Sequence, residues 1–441
     1  MKYNPAKFQV VLVFWVLLVS SSSVFGQLTT SRDGKIDRSF GTNGLTRFSV
    51  EKDFGTIEYL PEIALTPDGK LLTLHSLRHN GSDFRVLLTR FLSDGTPDTE
   101  FGTNGKLLLS SWSSFTATNV IAEPDGKMVL TGLDWNGVDF MVLRILANGQ
   151  PDPTFGVNGA FRKDFSLSVG QSNDIAFSTI RQPDGKYVIS GTSDRFNSAG
   201  QTSTFLSIVG LNSDGSIDST YANGGNSILV GHGHSANINP SKVGTSFRLD
   251  DGRLVIGTIK DRLVPNGKGQ VRGYLNILRF LSNGDLDPKF SDDGIVDFFE
   301  IFPAPVMGIK VLGNGKIAIA TNLEMRMFNA DGTRDVSFSD VPLPMQIYDL
   351  DVLENGKLLP VGLRFGSDGI SGVVRRLNQD GTFDVKFGQR GASEVRLDYE
   401  SYTAILASVV DGAGHLIVLG ENNALPIRTQ FIGRFFTSRK L

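Results

Sequence analysis

One twelve-residue phrase is written seven times in this chain, and no other feature limits its fold as strongly. A copy reads NGQPDPTFGVNG at residues 148–159, and near copies begin at Asp33, Asp94, Asp214, Asn283, Asp331 and Asp380. The shared pattern is D/N-G-x-x-D-x-x-F-G-x-x-G. Successive copies start 61, 54, 66, 69, 48 and 49 residues apart. Repetition at such a period means stacked equivalent units that share a continuous core. Asp-Gly or Asn-Gly favours positive φ and a tight reversal. The second acidic position is Asp in every copy: Asp37, Asp98, Asp152, Asp218, Asp287, Asp335 and Asp384. A short carboxylate there can cap nearby backbone N–H groups. An aromatic follows three residues later: Phe40, Phe101, Phe155, Tyr221, Phe290, Phe338 and Phe387. A ring in a polar loop pins that loop to a core. The sixth copy, DGTRDVSFSDVPLP, lacks the closing glycine.

Two further signals alternate with the loop. PDGK, or a weaker form of it, recurs at Pro67, Pro124, Pro183, Asp250, Gly313, Glu354 and Gly412, each followed by a β-like run. Such a pair between β-like runs signals a hairpin. Segments such as FRVLLTRFLSDG and LNILRFLSNG precede the loop copies and are apolar on both faces, as strands covered on both sides are. Each unit therefore reads as four strands; in unit 2 these fall near 106–112, 117–123, 127–133 and 139–146. The fold expected is all-β, a seven-bladed β-propeller of four-stranded repeats. The first loop copy lacks a preceding strand and the last strand, in QFIGRFFTSRKL, lacks a following loop, so a ring would fill both gaps. In this reading the repeated loop carries the chain from the outer strand of one blade to the inner strand of the next. Its Phe wedges between blades and its Asp holds the turn. An Arg four residues before the loop (Arg90, Arg144, Arg279, Arg376, Arg434) pairs with a motif Asp; Gly210 and Met327 stand at that position in the other two units.

The N-terminus is different in kind. Lys2 and Lys7 precede the twelve-residue apolar run FQVVLVFWVLLV, then SSSVFGQ. This is the pattern of a cleaved secretory signal, too short to span a bilayer comfortably. The expected division is residues 1–26 as signal peptide and 27–441 as one propeller domain, with no membrane span after cleavage and a secreted or periplasmic location. Removing residues 1–26 takes away two lysines and moves the formal charge from −3 to −5. The absence of cysteine excludes disulfides, which a core of this size does not need. No basic block points to nucleic acid.

The repeated loop, typified by DGTPDTEFGTNGKL, resembles the units of the delta-60 repeat family of bacterial exported proteins. The resemblance covers roughly residues 30–441. It implies a propeller-like repeat outside the cytoplasm and no assigned activity.

Function is expected on the face opposite the repeated motifs, where connections vary in length, with a bias to units 3 and 4. The candidate ligand contacts are His232 and His234, an H-x-H pair, and the basic residues Arg262, Lys268 and Arg272, with Lys260 beside them. Five histidines and no cysteine make a complete zinc site demanding. Asp285, Asp287, Asp292 and Asp293 raise calcium, but their spacing is not that of an EF-hand, and backbone capping accounts for them. No nucleophile elbow, Walker loop or dinucleotide fingerprint is present. The expectation is a monomeric, non-catalytic binding or scaffold protein without cofactor, for a glycan, peptide or surface partner. The alternative is a hydrolase or lyase whose inward carboxylates line the central channel.

Overall fold

The computed structural model describes residues 32–437, apart from 51–53, 58, 81–82, 137–138, 166–172, 197–201, 230–244, 264–270, 302–304, 340–342, 398–401 and 424–427. Strand β1 (Leu45–Phe48) comes first. Blade 1 follows with β2 (Thr56–Ile57), β3 (Glu62–Leu65), β4 (Leu71–Asn80), β5 (Asp83–Phe91) and β6 (Lys106–Leu108); β2 and β3 share the inner position against β4. Blade 2 is β7 (Phe115–Ala122), β8 (Met128–Asp134), β9 (Asp139–Ile145) and β10 (Ala160–Lys163). Blade 3 is β11 (Asp174–Arg181), β12 (Tyr187–Phe196), β13 (Thr202–Leu211) and β14 (Asn226–Leu229). Blade 4 is β15 (Thr245–Arg248), β16 (Leu254–Leu263), β17 (Val271–Phe280) and β18 (Ile295–Ile301). Blade 5 is β19 (Val306–Val311), β20 (Ile317–Thr321) and β21 (Met325–Phe328). Blade 6 is β22 (Gln346–Val352), β23 (Leu358–Gly366), β24 (Gly369–Arg375) and β25 (Ala392–Val395). Blade 7 is β26 (Thr403–Val410), β27 (Leu416–Asn422) and β28 (Thr429–Phe435), completed by β1 on its outer edge.

The ring is thus a seven-bladed β-propeller of antiparallel sheets, closed by pairing Leu45–Phe48 with Gly433–Gln430. Consecutive inner strands touch from β3 through β7, β11, β15, β19, β22 and β26 back to β3. Blade 5 has only three strands among the described residues. Its loop is the copy without the closing glycine, and no outer strand follows it among the described residues.

The register corrects one expectation. The strand after the repeated loop pairs with the strand before it, as Lys106–Leu108 does with Thr89–Leu87. The loop is therefore a wide hairpin between the third and fourth strands of one blade, not a bridge to the next. Crossing to the next inner strand falls to the variable segment after the fourth strand. The division of connections between two faces is unchanged: the PDGK turns and repeated loops share one face, and the crossovers and second-to-third-strand turns share the other.

Apolar side chains on both faces of each sheet explain the stacking. Val129, Phe140 and Val142 of blade 2 join Ala176, Tyr187 and Ile189 of blade 3 in one cluster. Ile63, Leu71 and Phe91 of blade 1 pack on Ile417, Leu419 and Ile432 of blade 7 in another, closing the circle. A register shift recurs near the start of inner strands β7, β11, β19, β22 and β26. Such bulges bend the strand and turn later side chains.

Candidate functional site

The repeated motif builds a lock around one face. In all seven copies the second Asp uses Oδ1 to accept a backbone N–H two residues on, as Asp152 does from Thr154 at 2.9 Å and Asp218 from Thr220 at 3.0 Å. Its Oδ2 takes cations. Arg90 Nε reaches Asp98 at 2.8 Å, Arg144 reaches Asp152 at 2.8 Å, and Arg279, Arg376 and Arg434 do the same with Asp287, Asp384 and Asp37. The basic residue of the PDGK turn supplies a second cation: Lys70, Lys127, Arg253 and Lys357 approach these same aspartates. Where Gly210 and Met327 replace Arg, Lys186 and Lys316 hold Asp218 and Asp335, at 2.8 and 2.6 Å. Burial pushes the Asp152 carboxyl up, but hydrogen bonds from Thr154 and the charge of Arg144 overcome it and leave its pKa at about 2.

Each arginine also lies over its own motif ring, 4.3 Å from Phe101, 4.6 Å from Phe155 and Phe290, 4.8 Å from Phe387 and 5.0 Å from Phe40. The far guanidinium nitrogen donates into the next blade: Arg144 to the Ser213 carbonyl, Arg279 to Ala330, Arg376 to Thr437 and Arg434 to Ser93. In six copies the residue after the motif aromatic donates its N–H to the first residue of the next loop, as Gly41 does to Asp94 and Gly388 to Asp33. The first glycine of five loops (Gly95, Gly215, Gly284, Gly332 and Gly381) lies against the previous ring; a Cβ on Gly95 would meet Phe40 at 2.5 Å, and its φ of 84° favours glycine in any case. The motif residues therefore hold adjacent blades together.

The candidate contacts His232, His234 and Lys268 lie outside the described residues. Arg262 and Arg272 are paired backbone to backbone across β16 and β17, but their side chains, and that of Lys260, lie outside what the structure describes.

Three other places carry chemistry. At the inner-strand ring, Lys310 Nζ lies 3.1 Å from Asp351, and its side chain keeps 31% of its exposure. Burial pulls the Lys310 ammonium down, but Asp351, Asp349 and Glu62, from blades 6 and 1, outweigh it and raise its pKa. Ser408 on β26 donates its N–H to Asp349 at 3.0 Å and its hydroxyl to Asp351 at 2.7 Å. The ring thus offers converging carboxylates, fixed by an ammonium and a hydroxyl.

On the crossover face, Asp139, Asp164 and Asp174 bring one carboxylate oxygen each within 4.8 Å of the others. Burial, with the charges of Asp164 and Asp134, raises the Asp139 pKa. Three oxygens are half or fewer of those calcium takes.

Beside this cluster stands an aromatic platform. Trp135, 39% exposed, stacks on Phe84 of blade 1 with centroids 4.8 Å apart and planes 9° apart. Its indole N–H donates to Thr116 Oγ1 at 2.7 Å, and its backbone N–H to Ser114 at 2.8 Å. Arg78 lies over the Phe84 ring at 5.2 Å. Asn136 donates to Ser114 Oγ, and Arg162 pairs with Asp134 at 2.7 Å while lying over Trp112. Both tryptophans of residues 27–441, Trp112 and Trp135, meet Phe84 and Arg162 in this region. Only an aromatic in the polar turn DWNG marked it in the sequence.

Comparison with known proteins adds little to this geometry. Residues 123–155 and 182–221 match the model of a family described as "Domain of unknown function (DUF5122) beta-propeller", in keeping with a propeller-repeat chain. No curated protein matches. Solved structures with a similar course include polysaccharide lyase Uly1, 12% identical with 93% of this chain and 94% of that one covered at a TM-score of 0.45. A Penicillium chrysogenum alpha-L-arabinanase complexed with arabinobiose is 10% identical, with 90% and 99% covered at 0.42. A chain of the Mitotic Checkpoint Complex is 12% identical, with 99% of both chains covered at 0.44. Likenesses of this degree carry no statement about activity.

Proposed function

We propose that this chain is an exported glycan-binding β-propeller, with its contact surface on the crossover face of blades 1 and 2. The observation that carries the reading is the half-exposed indole of Trp135, pinned on Phe84. An aromatic ring held from behind offers a flat apolar surface to the C–H face of a sugar at little entropic cost. Asn136 and Arg162 stand on neighbouring turns and strands with donors for hydroxyls. A rigid blade stack bearing variable connections on one face suits such a role. The repeated carboxylates support the non-catalytic side of the reading: they are tied to cations and backbone, whereas general acid–base work favours a group poised near the operating pH.

The test is a glycan array probed with residues 27–441, followed by calorimetry on the hits with the wild type and Trp135→Ala. The expected result is saturable binding that Trp135→Ala weakens at least tenfold with an unchanged far-ultraviolet spectrum. Equal affinity in the variant, or no hit on an array of plant, algal and bacterial glycans, overturns the proposal.

A further inference from the structure

The ring of arginine locks has one open member. In blade 2, Arg144 occupies a defined nest: Asp152 Oδ2, the Thr154 hydroxyl at 3.1 Å, the Phe155 face at 4.6 Å and the Ser213 carbonyl of the next blade. The counterparts in blade 3 are Asp218, Thr220, Tyr221 and Ser282. All four are present, but the arginine position is Gly210, on which the Tyr221 side chain packs directly. In blade 5, the other unit without Arg, Met327 fills the place: it is buried and packs in the same cluster as Phe338. Glycine cannot do this. Between blades 3 and 4 a cavity of about 490 Å³ lies open to the motif face, lined by Asp218, Thr220, Tyr221 and Ser282 together with Lys186, Asp184 and Asp251.

The groups in that cavity retain capacity. Lys186 reaches Asp218 at 2.8 Å, but in blade 2 the matching oxygen of Asp152 accepts both Lys127 and Arg144, so one cation does not exhaust it. Tyr221 is only 5% exposed, and its hydroxyl has no hydrogen-bond partner among the described residues. Asp184 lies on the rim and adds a further negative charge.

We infer that this cavity is a receptor for a guanidinium group supplied from outside the chain, seated against Tyr221 and paired with Asp218. Five copies of the carboxylate and ring of this nest within this molecule hold an arginine, so the chain itself supplies the template for the ligand. A planar fork that bonds a carboxylate and stacks on a ring is a guanidinium property that an ammonium does not share. The guanidinium can belong to an arginine side chain of a peptide or to a free alkylguanidine. This inference is independent of the glycan surface, which lies on the opposite face.

Calorimetry separates the sources and the chemistry. The probes are acetyl-Gly-Arg-Gly-amide, its lysine counterpart, and agmatine. The expected result is saturable binding of the arginine peptide at least tenfold tighter than the lysine peptide, with agmatine reporting whether the side chain alone suffices. Two variants close the cavity. Gly210→Arg with Tyr221→Phe rebuilds the lock of the other blades; a Cβ at residue 210 meets the Tyr221 side chain at 2.5 Å, so the loop must shift. Ser282→Trp blocks the mouth from an exposed position and serves should the first variant not fold. Each is expected to lower arginine-peptide affinity at least tenfold at an unchanged circular-dichroism spectrum. Equal binding of arginine and lysine peptides, no binding by the wild type, or undiminished binding by a folded blocked variant overturns the inference.

Discussion

His75 lies wholly buried in β4, edge-on to Phe48 at 5.9 Å, and neither ring nitrogen has a hydrogen-bond partner among the described residues. Burial, with a smaller contribution from Lys106, drops its pKa to about 3. Below its ordinary value of about 6.5 the unfolded chain takes up a proton that the folded chain refuses until about pH 3. Stability is therefore fully present above pH 6.5 and falls as pH drops through that window. The motif aspartates, whose pKa values are lowered, withdraw their contribution only in the carboxylate range and below, so pH 7 to 5 isolates the imidazole. Urea unfolding at these two pH values should show a loss of about 2 kcal/mol attributable to this ring, at roughly 1.4 kcal/mol per pH unit once fully titrating. His75→Leu should remove that part of the slope and raise stability at pH 7, since no buried nitrogen is left without a partner. A variant with the wild-type slope would show that the ring protonates in the folded state.

At the scale of the element, the unit of stability is the lock of Asp, Arg, aromatic ring and PDGK lysine. Arg144→Met copies what blade 5 already carries at Met327. Because Arg144 is almost fully buried and spans two blades, its loss leaves Asp152 with Lys127 at 3.4 Å and should cost about 3 kcal/mol. Adding Asp152→Asn should recover part of that, and the double-mutant cycle measures the coupling; strict additivity would mean that the guanidinium acts through packing alone. Spacing made the motif Asp, the aromatic and their arginine legible, because all three lie within one loop and the strand before it. In sequence the lysine of PDGK reads as turn punctuation, since its partner Asp98 stands 28 residues beyond Lys70 and only strand pairing brings them together. The loop reads as a blade boundary for a similar reason: a strand of three or four residues, such as Lys106–Leu108, carries no pattern that tells which neighbour it pairs with. Trp135 and Phe84 belong to different blades, so their stack was invisible in sequence, and the emptied nest at Gly210 gained meaning only beside its filled copies.

At the scale of the molecule, the ring is held shut by a strand borrowed from the other end of the chain. Thr437 and Asp33 meet the same guanidinium, that of Arg376, which donates to the Thr437 carbonyl and reaches Asp33 Oδ2 at 3.0 Å. In blades 3 and 5 the matching carbonyls belong to Ser213 and Ala330, the residues just before Asp214 and Asp331. Thr437 and Asp33 therefore occupy positions that are covalent neighbours elsewhere in the ring. Gly34 N–H to Phe436 at 2.7 Å and Phe436 N–H to Lys35 at 3.0 Å copy the turn that Gly95, Leu92 and Thr96 make in blade 1. A circular permutant that joins Thr437 directly to Asp33 and opens the chain within residues 51–53 should fold to the same structure without a linker. It would make blade 7 continuous, and so remove the sheet whose strands come from both ends of the chain. Opening the native ring requires breaking the β1–β28 ladder, whereas opening the permutant requires only separating the faces of blades 7 and 1. Apolar contacts between those faces remain, so equilibrium stability should change little. The unfolding rate in urea should rise, because the ladder now resists ring opening no longer. A permutant that unfolds as slowly as the parent would place the unfolding barrier at another blade boundary.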